Sequence, residues 1–227
     1  MMLSRALIIV GFAVLLAACG SQPKWYDDPD THIVRKGETL YSIAFRYGKS
    51  PAELSRWNRL GDGSLIHPGQ VLRLKPPPGR STAGNTRTTP RPAAKPLPKI
   101  PAQPSPKWVW PTNGRINVKF GANPGPGTGV LIDGKAGQAI VAAASGHVVY
   151  AGSGLIGYGQ LIILKHNDTY LSAYGYTASL LVREGQDVKQ GQRIATMGEG
   201  PERKPRLHFE IRRNGKPVNP RQYLPAR

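Results

Sequence analysis

The chain has 227 residues, which allows one or two domains. Lysine and arginine total 31 against 13 aspartate and glutamate, so the formal net charge is +18. A charge this positive is typical of proteins that contact a polyanion. The single cysteine excludes a disulfide bond within the chain.

The first predicted element is an export signal over residues 1–18. The apolar run from Ala6 to Leu16 is shorter than the about 20 residues of a membrane-spanning helix. Its end, Leu16-Ala17-Ala18-Cys19, resembles the lipobox of bacterial lipoproteins. Glycine rather than aspartate follows the cysteine, at Gly20, and this resembles the pattern of lipoproteins that are sent to the outer membrane. The resemblance implies a periplasm-facing protein held to the membrane by acylated Cys19. An exported protein does not meet nucleic acid, so we expect lipid headgroups and peptidoglycan as its polyanions.

Residues 31–75 form the first predicted domain, with the order β-α-α-β. One apolar face recurs at helical spacing in the first helix, at Leu40, Ile43, Ala44 and Tyr47. Gly48 is typical of a helix C-terminus, and the segment 50–53 has the pattern of a capping box with proline at the first helical position. Strand character is found at residues 32–35 and 71–74.

This order of elements, with Gly37-Glu38-Thr39-Leu40 and the segment 66–72, resembles a LysM module. LysM modules bind N-acetylglucosamine-containing glycans in a shallow groove between the turn before the first helix and the loop before the last strand. The resemblance implies peptidoglycan binding by eight residues: Gly37, Glu38, Thr39, Leu40, Leu65, Ile66, His67 and Pro68.

Residues 76–107 are rich in proline and in basic residues, and they contain no acidic residue. Such a segment cannot bury enough apolar surface to fold by itself. It therefore predicts a disordered, extended linker between two domains.

Residues 108–227 have the pattern of a mainly β domain, because short β-branched and apolar runs alternate with glycine turns. The runs are 140–142, 147–151, 161–166, 170–176 and 207–212. The segment 182–192 also suits the turns of a biotinyl/lipoyl hammerhead. Thr196-Met197-Gly198 stands where that family has its modified lysine, so this likeness informs the fold alone.

The segments 144–152, 161–166 and 207–212 resemble the LytM domain of lysostaphin-type zinc endopeptidases. In active members the zinc ligands are a histidine, an aspartate four residues later, and the second histidine of a His-x-His motif; two further histidines serve catalysis. In this chain His208 matches the last ligand. Tyr176 and Arg206, the latter a permanent cation, stand where the catalytic histidines are expected.

The other two zinc-ligand positions are those of the first histidine and of the aspartate four residues later. Two alignments are possible here, and neither gives a histidine together with an aspartate. Counting back from Gly137 puts the aspartate position on Leu131 and the histidine position on Gly127. A shift by two residues puts them on Asp133 and Gly129. We therefore predict no metal, no cofactor and no hydrolase activity. A non-standard zinc site of His208, His166 and Asp133 stays as an alternative.

The order lipobox, LysM module, proline-rich linker and degenerate LytM domain resembles the NlpD-like family of amidase activators. The segments 162–168, 170–174, 181–184 and 193–198 carry the same resemblance. It implies a non-catalytic regulator that docks on a periplasmic N-acetylmuramyl-L-alanine amidase and displaces an inhibitory element from its zinc site. The amidase would then split septal peptidoglycan as daughter cells separate.

The emptied groove of the LytM domain is the predicted docking surface for the amidase. Five residues are expected to line it: Leu131, Tyr174, Tyr176, Arg206 and His208. Arg206 is expected to pair with an acidic residue of the amidase. Two alternatives remain, a tether between outer membrane and peptidoglycan without activator role, and a zinc endopeptidase with an unorthodox site.

Overall fold

The computed structural model describes residues 29–61, 65–77, 102–122 and 128–226. The predicted signal peptide, Cys19, most of the predicted linker and Gly127 lie outside these residues. No helix in the described ranges has both the length and the apolar character needed to span a membrane.

The N-terminal domain has the predicted β-α-α-β order. Strand β1 (Thr31–Ile33) pairs antiparallel with β2 (Val71–Arg73). Helices α1 (Leu40–Arg46) and α2 (Pro51–Asn58) lie between them in the chain. A small core holds the four elements together, formed by Val34, Leu40, Ile43, Ala44, Leu54, Leu72 and Leu74. Three of the four residues on the predicted apolar face of α1 therefore lie in this core.

Local side-chain chemistry determines where the two helices begin. The hydroxyl of Thr39 accepts a hydrogen bond from the backbone N–H of Ser42 at 3.0 Å, and the Ser42 hydroxyl accepts one from the backbone N–H of Thr39 at 3.0 Å. Pro51 opens α2, where its missing N–H costs nothing. Gly48 follows α1 with φ of +59°, which ends the helix.

The C-terminal domain is built on antiparallel strands. Their bounds are β3 Ile116–Val118, β4 Val130–Asp133, β5 Ala139–Val141, β6 Gly146–Gly152, β7 Gln160–Lys165, β8 Tyr170–Leu180, β9 Asp187–Val188, β10 Arg193–Met197, β11 Arg206–Arg213 and β12 Lys216–Val218. The order across the sheet is β3-β4-β11-β8-β7-β6-β9, with β10 on β5 and β8, and β12 on β11. The predicted fold class is confirmed.

Alternation along β11 separates two kinds of side chain. Leu207, Phe209 and Ile211 enter the main apolar core. The opposite face carries four polar side chains that are almost completely buried: Arg206, His208, Glu210 and Arg212. We call these four residues the polar face of β11.

Residues 102–107, assigned to the linker by their composition, lie against the C-terminal domain. The backbone N–H of Gln103 donates to the Thr169 hydroxyl at 2.8 Å, and the Asn167 amide donates to the carbonyl of Pro104 at 3.0 Å. Trp108 donates from its indole N–H to the Ser105 hydroxyl at 2.9 Å. The turn before β8 thus supplies hydrogen-bond partners that composition cannot predict.

The two domains share a buried cluster. Phe45 of α1 is 1% exposed, and it packs with side chains of the C-terminal domain rather than with its own core. Its partners include Val149, Tyr150, Leu155 and Tyr158. The sequence analysis missed Phe45 because it lies off the apolar face of α1; an aromatic residue on the other face of a short helix was the available signal.

Candidate docking site

Glu210 is the centre of the polar face. Its carboxylate accepts from Arg212 Nε at 2.7 Å, contacts His208 Nε2 at 2.8 Å, and accepts from the Thr128 hydroxyl. Tyr158 closes the network, since its hydroxyl lies 3.2 Å from Thr128 Oγ1 and 3.4 Å from Arg212 Nη2. His208, which matches the last zinc ligand of active LytM domains, is therefore hydrogen-bonded to the carboxylate of Glu210.

The pKa of Glu210 reflects this network. Burial raises the pKa, but the charge of Arg212 and the hydrogen bonds from His208 and Arg212 outweigh it and lower the pKa to about 2. The carboxylate is thus ionised at neutral pH without contact with water. Arg212, with no exposed surface, supplies the compensating charge.

Arg206 is already paired within the chain. Strand register sets it opposite Asp133 on β4, and its Nε donates to Asp133 Oδ1 at 2.9 Å. The Glu202 carboxylate lies 4.0 Å from Arg206 Nη2, and the Arg206 side chain is 5% exposed. An amidase carboxylate that pairs with Arg206, as the sequence predicts, therefore has to replace Asp133, because the other terminal nitrogen, Nη1, is buried.

Tyr176 covers the polar face from outside. Its φ of +59° interrupts the alternation of β8 and turns the ring towards His208, at 5.8 Å between ring centroids. The side chain is partly exposed. Burial, together with the charge of Glu210, raises the pKa of its hydroxyl.

Tyr174 was expected beside Tyr176, but the structure places it on the other face of the sheet. It is fully buried in the main core, where its hydroxyl accepts from the backbone N–H of Ala143 at 2.8 Å and from Ser172 Oγ at 2.9 Å. Burial raises its pKa to about 12. Residues two apart share a strand face only in regular backbone, and Tyr176 departs from that backbone.

Leu131 lies opposite His208 in strand register and is 2% exposed. Gly129 runs so close to β11 that a Cβ atom there would be 2.4 Å from the carbonyl oxygen of Phe209. A histidine at position 129, which one alignment requires, does not fit this backbone. Gly127, where the other alignment puts the histidine, lies outside the described residues.

The alternative zinc site does not assemble. His166 contacts the carbonyl oxygen of Ser145 at 2.8 Å and the hydroxyl of Ser172 at 2.7 Å, whereas Asp133 binds Arg206 and His208 binds Glu210. Burial lowers the pKa of His166 to about 4 against the opposing hydrogen bond to Ser145. Within the described ranges, no three His, Cys, Asp or Glu side chains are grouped so that they could hold a metal ion.

The exposed part of the site is a rim formed by Tyr176 and the loop 199–204. Glu199, Glu202, Arg203 and Lys204 are exposed, and Gly200 packs close to the Tyr176 ring. The predicted groove is therefore closed over by Tyr176, and the rim offers an aromatic ring with charges of both signs. Aromatic residues such as tyrosine are enriched at protein–protein interfaces.

The predicted glycan-binding residues divide into two groups. Leu65, His67 and Pro68 are exposed and Ile66 is partly buried. The other four are Gly37, Glu38 and Thr39, which belong to the turn before α1, and Leu40, which is the first residue of α1. This turn faces the C-terminal domain, with the Thr39 hydroxyl donating to the carbonyl of Val149 at 3.2 Å, and Leu40 lies in its own domain's core.

Glu38 holds the turn together. Its carboxylate contacts His32 Nε2 at 2.7 Å and accepts from Arg46 at 2.5 Å and from the backbone N–H of Arg35 at 2.8 Å. Burial raises the pKa of Glu38, but the hydrogen bond with His32 and the other contacts give a net lowering.

Comparison with known proteins agrees with the fold. Residues 125–220 match Peptidase family M23, and residues 32–75 match the LysM domain family. The chain thus joins a LysM domain to an M23-type domain, as predicted. We call these two parts the LysM domain and the LytM domain.

Relatives with both parts identify the family. A Pseudomonas aeruginosa protein named "Lipoprotein NlpD/LppB homolog" is 43% identical over 232 residues, covering 86% of this chain and 77% of that protein. The Escherichia coli "Murein hydrolase activator NlpD" is 36% identical over 269 residues, covering 92% of this chain and 71% of the relative. The chain belongs to the NlpD family of lipoproteins, which confirms the resemblance.

Among solved structures, the catalytic domain of lysostaphin from Staphylococcus simulans is similar to part of the chain. The identity is 26% with a TM-score of 0.45, over 48% of this chain and 91% of that one.

Proposed function

We propose that the protein is a non-catalytic outer-membrane lipoprotein that binds peptidoglycan and activates a periplasmic N-acetylmuramyl-L-alanine amidase during septal peptidoglycan splitting. The observation that carries the proposal is the pairing of the polar face. Arg206 is hydrogen-bonded to Asp133, and His208 is hydrogen-bonded to Glu210. Carboxylates of the same domain therefore engage the side chains at two positions where active LytM domains resemble one another in having histidines. The names of the relatives support an activator rather than a peptidase.

Activation in this proposal is a shift between two states of the amidase. An activator raises activity only when it binds the open state better than the closed one, and each tenfold difference corresponds to about 1.4 kcal/mol. The rim supplies the docking surface, since Tyr176 is its partly exposed aromatic residue and aromatic residues dominate the binding free energy of many interfaces. Arg206 contributes if an amidase carboxylate replaces Asp133.

The remaining parts of the proposal concern location. Acylation of Cys19 holds the protein in the outer membrane, and the LysM domain holds it on peptidoglycan. Acyl chains in pairs give stable membrane anchoring. The net charge of +18 favours both anionic headgroups and the carboxylates of stem peptides.

The test is release of dye from labelled peptidoglycan sacculi by the mature chain with each periplasmic amidase of its own organism. We expect no release by the chain alone and a clear acceleration with one amidase. Replacing Tyr176 by asparagine, which accepts a positive φ, should raise the chain concentration for half-maximal stimulation about tenfold or more, because the aromatic ring of the rim is lost.

Arg59→Asn is the matched control, because Arg59 also has a positive φ, of 56°, but is exposed and lies in the LysM domain. It should stimulate like the unmodified chain. Release by the chain alone would support the zinc endopeptidase instead. Lack of stimulation with every amidase would leave the tether between outer membrane and peptidoglycan.

A further inference from the structure

The LysM domain is seated on the end of the polar face through Phe45. Arg212 Nη1 donates to the backbone carbonyl of Phe45 at 2.6 Å, and the guanidinium carbon lies 3.3 Å from the centroid of the Phe45 ring. The same ring meets Tyr158 edge to face at 5.3 Å. Burial of an aromatic ring and of a charged hydrogen bond together stabilises this contact.

Three further contacts surround Phe45. The Thr39 hydroxyl donates to the carbonyl of Val149, and Arg46 Nη2 donates to the carbonyl of Gly154 at 3.3 Å. Gly215 of the LytM domain lies directly against Lys49, because a Cβ atom at position 215 would be 2.1 Å from the Lys49 carbonyl oxygen. The interface therefore has contacts on several sides of the aromatic ring.

One residue of the turn predicted to contact glycan, Thr39, is bonded across this interface, whereas Gly37 is exposed. Gly37 and Glu38 face Tyr150 and Leu155 across a cavity of about 190 Å³, which is below the about 300 Å³ at which small-molecule pockets begin. Thr39 has its hydroxyl bonded to Ser42 and Val149, and the Glu38 carboxylate is bonded within the LysM domain. Of these bonds, the one from the Thr39 hydroxyl to Val149 depends on docking, and it occupies that hydroxyl in the docked arrangement.

We propose that glycan binding at the turn 37–39 and docking of the LysM domain on the LytM domain exclude one another. Binding of an N-acetylglucosamine polymer then releases the LysM domain and uncovers Tyr158 and the Arg212 end of the polar face. This inference rests on the proposed peptidoglycan binding by the LysM domain. It makes the cell-wall glycan a signal that changes which surface the LytM domain offers.

Gly215→Asn is the variant that separates the domains. Asparagine accepts the backbone φ of +77°, but its side chain collides with the backbone of Lys49. Gly191→Asn is the matched control, since Gly191 has the same φ of +77° and no atom within 4 Å of an added Cβ. Phe45→Ala is the second variant, because Phe45 is outside the core cluster of the LysM domain.

The experiment measures binding of the N-acetylglucosamine hexamer to the mature chain and its variants by calorimetry. Apparent affinity falls with the fraction of molecules in the competent state, so a tenth or less of undocked chain predicts at least tenfold tighter binding by Gly215→Asn and Phe45→Ala. Gly191→Asn should bind like the unmodified chain. Circular dichroism confirms that each variant is folded.

Three results would overturn the inference. Equal affinity in all four proteins shows that docking and glycan binding are independent. Weaker binding by the two separated variants shows a shared site instead, for which the cavity of about 850 Å³ between residues 39–41 and the LytM domain has the room. Absence of binding by every protein removes the inference together with the proposed glycan binding, whereas the first two results leave that proposal standing.

Discussion

At the scale of single residues, the polar face of β11 is a buried set of charges that compensate one another. Arg212 and Glu210 have no exposed surface, and His208 is 2% exposed. Ionised groups in such a place are costly unless each keeps its partners. The removal of one member therefore leaves another charge buried without compensation.

Glu210→Gln is expected to lower the free energy of unfolding by about 3 to 5 kcal/mol at neutral pH, because Arg212 keeps its charge and loses the ion pair. Urea denaturation of the mature chain measures the change. Glu199→Gln, at an exposed position in loop 199–204, should change stability by less than about 0.5 kcal/mol. Similar values for both variants would contradict the compensating role of Glu210.

The Glu210→Gln substitution should also change how the free energy of unfolding depends on pH in acid. A carboxylate with a folded pKa of about 2 and an ordinary value of 4.5 contributes stability that is fully present above about pH 4.5 and is lost as the pH falls through 2. The contribution is on the order of 3 kcal/mol. Stability of the unmodified chain should fall across this interval more steeply than that of Glu210→Gln.

At the scale of elements, close approach of strands decides which residues the site can hold. β4 lies against β11 with Gly129 so near Phe209 that no side chain has room. On β8, the positive φ of Tyr176 turns the ring over His208 and leaves Tyr174 in the core. The two strands thereby remove a ligand position and close the groove.

Gly129→Ala should destabilise the LytM domain by about 1 to 3 kcal/mol, since β4 or β11 has to shift to admit the methyl group. Gly152→Ala is the control, because the nearest atom to an added Cβ there is the Tyr150 hydroxyl oxygen at 3.2 Å rather than, as at Gly129, a backbone atom at 2.4 Å. Thermal denaturation compares the two variants. A Gly129→Ala protein as stable as Gly152→Ala would show that the strands are not held as closely as described.

At the scale of the whole molecule, Phe45 joins two domains that have separate cores. The LysM core and the main LytM core do not share residues, and the cluster around Phe45 connects them. Domains joined by a buried apolar contact tend to unfold together, whereas domains without one open separately. The interface is therefore expected to make unfolding cooperative.

Scanning calorimetry of the unmodified chain should give one transition, and Phe45→Ala should give two, because the cooperative contact is lost. Phe120→Ala serves as the control, since Phe120 packs at the edge of the main LytM core. It should lower the temperature of the single transition without dividing it. Two transitions in the unmodified chain would contradict the coupling of the domains.

Local patterns in the sequence were sufficient for the domain classes and for much of the secondary structure. The spacing of Leu40, Ile43 and Ala44 predicts α1, and alternating apolar runs predict the central strands β6, β7, β8 and β11. These signals lie within a few residues of one another, as helix and strand periodicity requires. The short strands β3, β4, β9, β10 and β12 were not predicted, because two to five residues carry too little periodicity. The strand β5 is equally short, and its run of β-branched and apolar residues at 140–142 predicted it.

The site was predictable only in part. The sequence by itself determined that His208 and Arg206 stand on a LytM-type strand and that the chain joins it to a LysM domain, since these follow from short motifs. Tertiary structure decided that Arg206 is paired with Asp133, that Tyr174 lies in the core, and that Phe45 covers Arg212. The physical reason is distance along the chain: Phe45 and Arg212 are 167 residues apart, and only packing and strand register bring such residues together.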